Sequence, residues 1–286
     1  MRLVLLLPVL LVAAGCDSGV KTVPLDFQPV AAAFKGKEHV AVVAGPSNRE
    51  IHIETVDVAA GKRVDGRNLG ARASATSRFA LSDDGSLLAV ERADRSIGVW
   101  QVESGKLIAK LPGFAEKTTP FAISRNNDEV IVGTLRWRID GAKLLGVADA
   151  RAARRLIGYG SGQALSKDDR LVAIAMENVV RPDTKRPRVE LRREPGSDLV
   201  HSFDLDEPAG SMQTRISPDG QFVLLQNTGK MTSLTVWKTA SGWRAYRVER
   251  PAGCGFAAWS ADGAIVLLRC VESADRMYLE SHRVGR

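Results

Sequence analysis

The chain has 286 residues, a formal net charge of +7 at pH 7, and 44% hydrophobic residues. A chain of this length can bury a large core, either as one repeat-built domain or as two ordinary domains. The charge does not specify a fold. In a protein that is exported, as the first residues indicate, a basic excess favours anionic surfaces or partners and argues against nucleic acid as the partner.

The chain begins like a secretory signal peptide. Arg2 precedes an apolar run over residues 3–14 that ends in small side chains, which is the layout of an export signal. The run is shorter than the roughly 20 residues that a membrane-spanning helix needs. A transmembrane anchor is therefore disfavoured.

Residues 13–16 read Ala-Ala-Gly-Cys, which resembles the lipobox of bacterial lipoproteins, with Ala13 in place of the usual leucine. The resemblance implies that Cys16 is lipidated and becomes the mature N-terminus, and acyl chains would anchor the protein to a membrane. The alternative is an ordinary signal peptide with an incidental cysteine. Asp17 resembles an inner-membrane retention signal, which favours the inner membrane, and the outer membrane stays open.

These features divide the chain into three segments. Residues 1–15 are a predicted signal peptide, residues 16–21 a lipidated N-terminus and tether, and residues 22–286 a folded domain. We expect a periplasmic location in the bacterial cell envelope, with a membrane contact through the lipid anchor.

A short pattern recurs along the folded segment. A serine precedes each turn in "FALSDDGSLLAV", "FAISRNNDEVIV", "QALSKDDRLVAI", "RISPDGQFVLLQ" and "FAAWSADGAIVL", and Lys35 takes its place in a sixth, more degenerate copy. The period of about 40–45 residues is that of a four-stranded propeller blade. Within each unit, two apolar strands flank a tight turn, and a third and a fourth strand follow.

The "SPDG" and "VW…SGK" motifs resemble those of the WD-repeat and YVTN/TolB-type β-propeller superfamily. The resemblance implies an all-β, six-bladed propeller of four-stranded blades. The last unit contains only three strands, so residues 22–29 are expected to supply the fourth strand and close the ring. No amphipathic helix is expected outside the signal peptide.

No catalytic group is evident in the predicted central funnel. The innermost strands contain no His, Asp or Glu, which metals and general bases require, and the four histidines are scattered. We therefore expect no metal, no cofactor and no catalytic residues. The repeated serines read as turn residues. Trp100 and Trp237 are expected to pack between blades, an aromatic ligand box being the alternative.

Cys254 and Cys270 lie on the first two strands of the last unit. If Ser260 pairs with Ala264 across the turn, the two cysteines face each other at a separation that suits a disulfide, and an exported protein can form one. A one-residue bulge at the turn would change this register.

The connections between second and third strands are expected to share one face of the disc and to lean basic. The fourth, at residues 177–188, is the longest and most basic. The hypothetical partner-binding residues are Arg136, Trp137, Arg138, Arg181, Lys185, Arg186 and Arg188. An ordinary solvated insertion is the alternative.

Two functions are compatible with these features. The first is a non-catalytic lipoprotein, monomeric by itself, that acts as a scaffold for a protein or an anionic envelope polymer. The alternative is a propeller enzyme of lactonase-like or quinoprotein-like type. The absence of His, Asp and Glu from the predicted funnel favours the first.

Overall fold

The computed structural model describes residues 20–36, 39–74, 76–113, 121–160, 163–181, 184–204 and 211–284. These residues form six antiparallel sheets. The strands of the first three sheets are β2 (Ala31–Phe34), β3 (Val40–Ser47), β4 (Glu50–Asp57) and β5 (Lys62–Arg72); β6 (Phe79–Leu81), β7 (Leu87–Glu91), β8 (Ile97–Gln101) and β9 (Lys106–Leu111); and β10 (Phe121–Ile123), β11 (Glu129–Val132), β12 (Leu135–Arg138) and β13 (Lys143–Val147).

The other three sheets complete the ring. Their strands are β14 (Tyr159–Gly160), β15 (Gln163–Leu165), β16 (Leu171–Arg181), β17 (Thr184–Arg193) and β18 (Asp198–Asp204); β19 (Ser211–Ile216), β20 (Phe222–Thr228), β21 (Met231–Lys238) and β22 (Arg244–Pro251); and β1 (Lys21–Leu25), β23 (Cys254–Trp259), β24 (Ile265–Ser273) and β25 (Arg276–Arg283). The fold is a six-bladed β-propeller, as the sequence predicted, and we number the blades in chain order. Five blades have the predicted four strands, whereas blade four has a fifth, the two-residue strand β14.

The N-terminal strand closes the ring. β1 pairs with β25 from Lys21 opposite Ser281 to Leu25 opposite Met277, and so becomes the fourth strand of blade six. Val23 is fully buried in a cluster that joins blade six to Val43 of blade one. The predicted closure is therefore confirmed, with the strand beginning at Lys21 and ending at Leu25.

The recurrent serine builds the turn between the first two strands. In blade five, Ser217 Oγ donates to Asp219 Oδ1 at 2.5 Å and accepts the amide of Phe222 at 2.9 Å. Gly220 follows with a φ of 72°, which glycine adopts without steric cost. The same serine-to-aspartate bond occurs in blades two, four and six. The serines are turn residues, as expected.

Each of blades one to five also has a bulge that the sequence analysis missed. In blade two, for example, Trp100 pairs with Leu107 while Val99 pairs with Ala109, so that Ile108 is the extra residue in the fourth strand. Blades one, three, four and five have the same irregularity at the same place. Bulges increase strand twist and disrupt an edge that would otherwise invite pairing with other chains.

The strand order gives the disc two distinct faces. The loop face contains the connections between the second and third strands, and the turn face contains the turns between first and second and between third and fourth strands. Because β1 is antiparallel to β25, Lys21 lies at the turn face.

The tryptophans at the third strands pack between blades as expected. Trp100 of blade two lies in one cluster with Ile51 of blade one. Trp237 of blade five stacks on Phe203 of blade four, with ring centroids 4.9 Å apart.

A short helix was not expected from the sequence. α1 (Ala150–Ile157) leads from blade three into blade four. Asp149 accepts the amide of Ala152 at 2.7 Å, and Gly158 follows the helix with a φ of 79°, which are ordinary helix start and stop features. Among the described residues, no helix is both long and apolar enough to cross a membrane.

Candidate functional site

The innermost strands contain an arginine that the search for His, Asp and Glu overlooked. Two residues before the turn residue, five blades have a buried alanine, namely Ala33, Ala80, Ala122, Ala164 and Ala258. Blade five has Arg215, whose guanidinium lies 5.9 Å from the ring centroid of Phe256 in blade six. The sequence signal was the single break in a row of alanines.

Polar side chains at the loop ends of the inner strands connect neighbouring blades. Arg78 donates to Glu91 at 2.8 Å and lies 4.9 Å from the ring centroid of Phe121 in blade three. Gln226 accepts the amide of Phe256 in blade six at 2.8 Å. The Arg78–Phe121 and Gln226–Phe256 contacts join neighbouring blades, whereas Arg78–Glu91 lies within blade two. Together they do not form a converging set of ligands. In the described part of the chain, no group of three or more His, Cys, Asp or Glu is arranged to hold a metal ion.

The first group of hypothetical partner-binding residues lies on a strand. Arg136, Trp137 and Arg138 belong to β12, and Arg138 pairs with Glu129, towards the turn face. The prediction that these three residues belong to a connection between second and third strands is therefore wrong. The short connection here consists of Gly133 and Thr134.

The contacts of this strand are internal to the propeller. Arg136 donates from Nε and Nη2 to the two carboxylate oxygens of Glu129, at 2.8 and 2.7 Å, a bidentate pairing that suits the planar guanidinium. Hydrogen bonding to Glu129 raises the pKa of Arg136 further above its usual value. Trp137 packs against the apolar cluster between blades two and three. The arginines on both sides of Trp137 made this segment look like a charged loop, so its strand pattern was not recognised in the sequence.

The second group lies on a long β-hairpin of blade four. β16 has 11 residues and β17 has 10, and they pair from Leu171 opposite Arg193 to Arg181 opposite Thr184. β15 pairs with β16 only as far as Ile174, and β18 pairs with β17 only from Arg188 onwards. Residues 175–181 and 184–187 therefore form a two-stranded ribbon, which we call the arm.

The arm corrects the sequence interpretation in part. The long fourth unit was expected to contain a loop, and its extra residues are strand instead. Arg181, Lys185 and Arg186 lie on the arm, whereas Arg188 lies at its base and donates to Asp204 of β18 at 2.7 Å. The part of the predicted loop at residues 182–183 lies outside the described residues.

The closing blade carries a buried polar cluster beside blade five. His282 is fully buried, with Nδ1 2.5 Å from the hydroxyl of Tyr246 and Nε2 3.1 Å from Glu280. Arg250 of blade five donates to Glu280 through Nε at 2.8 Å and also through Nη2. Burial acts to raise the pKa of Glu280, but the bonds from Arg250 and His282 outweigh it and hold the pKa at about 2.

An open cleft of about 440 Å³ adjoins this cluster. Its walls include Thr22 and Pro24 of the closing strand and Tyr278 and Glu280 of β25. Burial, followed by the hydrogen bond to Glu272, raises the pKa of Tyr278 to about 12. Glu280 in this cleft is paired with Arg250, and Arg276 is paired with Glu272, so these contacts stabilise the closing blade.

The predicted disulfide is present. Cys254 and Cys270 are bonded to each other and lie directly opposite on β23 and β24. The route to this pairing differs from the expected one. Ser260 bonds to Ile265, which shifts the register by one residue, and a bulge between Phe256 and Ala258 shifts it back. Cys16 and the signal-like segment lie outside the described residues.

Comparison with known proteins supports the fold. No protein-family model matches the chain, and no curated protein is significantly similar to it in sequence. The β-propeller domain of Cps50 (Swd1) from Myceliophteria thermophila has a similar structure, with a TM-score of 0.50 and 10% identity over 93% of this chain and 99% of that chain. Hydrazine synthase from Kuenenia stuttgartiensis matches with a TM-score of 0.45 and 14% identity, over 87% of this chain and 79% of that chain. At 10% identity, the similarity to the Cps50 domain concerns architecture only.

Proposed function

We propose that this chain is a lipid-anchored, non-catalytic binding protein of the bacterial envelope. Its propeller is a rigid scaffold, and its loop face binds a protein or an anionic envelope polymer. The observation that carries this proposal is the arm of blade four, which extends beyond the neighbouring strands β15 and β18. The partner contact is assigned to the arm, because Arg136, Trp137 and Arg188 are engaged within the propeller.

The backbone of the arm is suited to contact with a partner. In the described part of the chain, residues 175–181 of β16 and residues 184–187 of β17 pair only within the β16–β17 hairpin, so no third described strand pairs with either outer edge of the arm. An exposed strand edge can accept a further strand from another chain. A two-stranded ribbon is marginally stable by itself, and a partner strand would stabilise it.

The charges of the arm favour an acidic partner. Arg181, Lys185 and Arg186 are three basic residues within six positions, and Glu177 is the only acidic residue in the described part of the arm. Arginine suits carboxylates and phosphates and is enriched at interfaces.

The position of the N-terminus is compatible with a partner contact on the loop face. The chain enters β1 at the turn face, on the side of the disc opposite to the arm. Residues 17–20 separate Cys16 from Lys21, so the two Cα atoms are at most about 18 Å apart. A lipid on Cys16 would therefore hold the turn face near the membrane and direct the arm away from it.

Affinity capture with the full-length protein tests the partner contact. Triple charge reversal at Arg181, Lys185 and Arg186 to Glu should abolish capture of any partner that the wild type retains, with an unchanged melting temperature. The matched control reverses Lys62, Lys106 and Lys143, which are exposed at the starts of three fourth strands at the turn face. Undiminished capture by the arm variant, or equal loss in the control, would refute the assignment.

Mass spectrometry and membrane fractionation test the anchor. The wild type should sediment with membranes and begin at an acylated Cys16, and Cys16→Ala should be released or retain its signal peptide. A wild-type N-terminus that is unacylated and begins at another residue would contradict the anchor.

A further inference from the structure

The exposed apolar side chains are concentrated near one face of the disc. Eight large hydrophobic side chains among the described residues are exposed. Two of them, Val147 and Met231, lie towards the loop face. The other six lie in the early part of a fourth strand or directly before it, on the rim near the turn face: Val64, Leu107, Ile108, Leu144, Leu199 and Trp243.

Trp243 is the most exposed of the eight, at 76%. Its turn is well fixed, because the amide of Lys238 donates to the carbonyl of Trp243 at 2.9 Å and the amide of Gly242 donates to Lys238 at 2.9 Å. The ring of His201 from blade four lies against Gly242, where a β-carbon would come within 3.1 Å of Nδ1. A rigid turn therefore holds an indole ring in solvent, although nothing in the propeller requires it there.

The rim around Trp243 is basic, and the acidic residues Asp219 and Asp262 are exposed in the inner turns of the same two blades. Lys238 and Arg244 are exposed in the same turn. In blade six, whose β25 packs on β22 through His282 and Tyr246, Arg283 is exposed at the same face. β1 begins beside it, with Lys21 opposite Ser281. The segment that leads to Cys16 thus leaves the disc next to this patch.

We infer that the turn face of blades five and six docks on the surface of an anionic lipid bilayer, with Trp243 inserted between the headgroups. Tryptophan suits this boundary because its ring is largely apolar and its N–H can still bond to polar groups. Nearby lysine and arginine side chains are attracted to anionic lipids. The inference rests on the proposed lipid anchor, since the anchor brings this patch to within a short tether of the membrane.

Docking by this patch gives the lipid anchor a second membrane contact. The acyl chains on Cys16 supply the attachment itself, but they leave the disc free to turn about its tether. The contact also restricts rotation of the disc about its tether, so that the arm on the opposite face is held away from the lipid.

Quenching of tryptophan fluorescence by brominated lipid tests the inference. The purified full-length protein is reconstituted on vesicles of phosphatidylethanolamine and phosphatidylglycerol that contain a lipid with a brominated acyl chain. Trp100, Trp237 and Trp259 are buried in the propeller, and Trp137 packs against the apolar cluster between blades two and three. Of the five tryptophans, Trp243 is therefore the one that the bromine atoms should reach. The wild type should lose part of its fluorescence, and Trp243→Phe should lose none.

A relocated tryptophan provides the matched control. In the Trp243→Phe background, Val147→Trp places an indole at a site that is 73% exposed near the loop face, and its fluorescence should not be quenched. Equal quenching of this variant, or none in the wild type, would overturn the inference. If the wild type is not quenched and is a dimer that dissociates when Trp243 is replaced, the patch is a self-association surface. This result would also overturn the inference. Partner capture by the arm is measured separately, so either proposal can fail alone.

Discussion

Gly158 leaves the space that the guanidinium of Arg125 occupies between blades three and four. A β-carbon at residue 158 would lie 2.3 Å from Nη2 of Arg125. That guanidinium donates to the carbonyl of Leu165 at 2.6 Å and to that of Ser166 at 3.1 Å, both in blade four. Gly158 at the end of α1 and the side chain of Arg125 thus connect blade three to blade four.

We therefore expect Gly158→Ala to lower the free energy of unfolding by about 2–4 kcal/mol, measured by urea denaturation. The positive φ accounts for roughly 1 kcal/mol, and displacement of Arg125 from its two carbonyls accounts for the rest. Gly141→Ala is the control, because Gly141 has a similar φ of 70° and no atom within 4 Å of a β-carbon. Equal losses in both variants would show that the Arg125 contact contributes nothing.

The disulfide should stabilise the blade that closes the ring. Joining Cys254 to Cys270 restricts the unfolded chain, so that replacing both with alanine should cost about 3 kcal/mol. A reducing agent should lower the melting temperature of the wild type and leave that of the double alanine variant unchanged. Labelling of both thiols in the folded, exported protein would contradict the bond.

The closing strand should stabilise the whole ring. Val23 is fully buried and joins blade six to blade one, so Val23→Ala should cost about 2–3 kcal/mol by leaving a cavity. Thr22, on the same strand, is exposed, and Thr22→Ala should cost less than about 0.5 kcal/mol. The loss should appear as one shifted transition. A separate early transition, or none, would show that β1 does not close the ring.

Glu280 should make stability depend on pH. Its pKa is lowered to about 2 in the folded protein, so the stability it contributes is complete above its unfolded pKa of about 4.5 and is lost as the pH falls through about 2. Glu280→Gln should therefore lower the free energy of unfolding by on the order of 3 kcal/mol at neutral pH. The difference from the wild type should shrink between pH 4.5 and pH 2. A difference that stays constant over this range would exclude Glu280 as its source.

The repeat could be read from the sequence because its signal is local. Ser217, Asp219 and Gly220 act within one turn, and the same chemistry recurs in neighbouring units, so the period and the blade count follow. The three-strand final unit likewise indicated that the N-terminus supplies the missing strand. The disulfide was predicted correctly, but the predicted register at the turn was wrong by one residue. The bulge after Phe256, which compensates for that shift, has no distinctive sequence.

The candidate site depended on contacts that the sequence does not display. Arg136 looked like a loop residue available to a partner, and pairing with Glu129 places it within the sheet. The basic segment around Lys185 was recognised, but its strand conformation was not. Trp243 was not predicted as a site residue, because the exposure of its side chain depends on how the neighbouring blades pack.

The sequence by itself determined the six-bladed architecture, its closure and the serine turns, because turn chemistry and alternating apolar residues act over a few neighbouring positions. Only the tertiary structure decided which charges are paired and which surfaces are free. Arg125 reaches Leu165 and Arg250 reaches Glu280 across blade boundaries, and the turn face gathers Trp243 and Arg283 from separate blades. These relationships arise from the curvature of the closed ring, which brings residues together that are 30 or more positions apart.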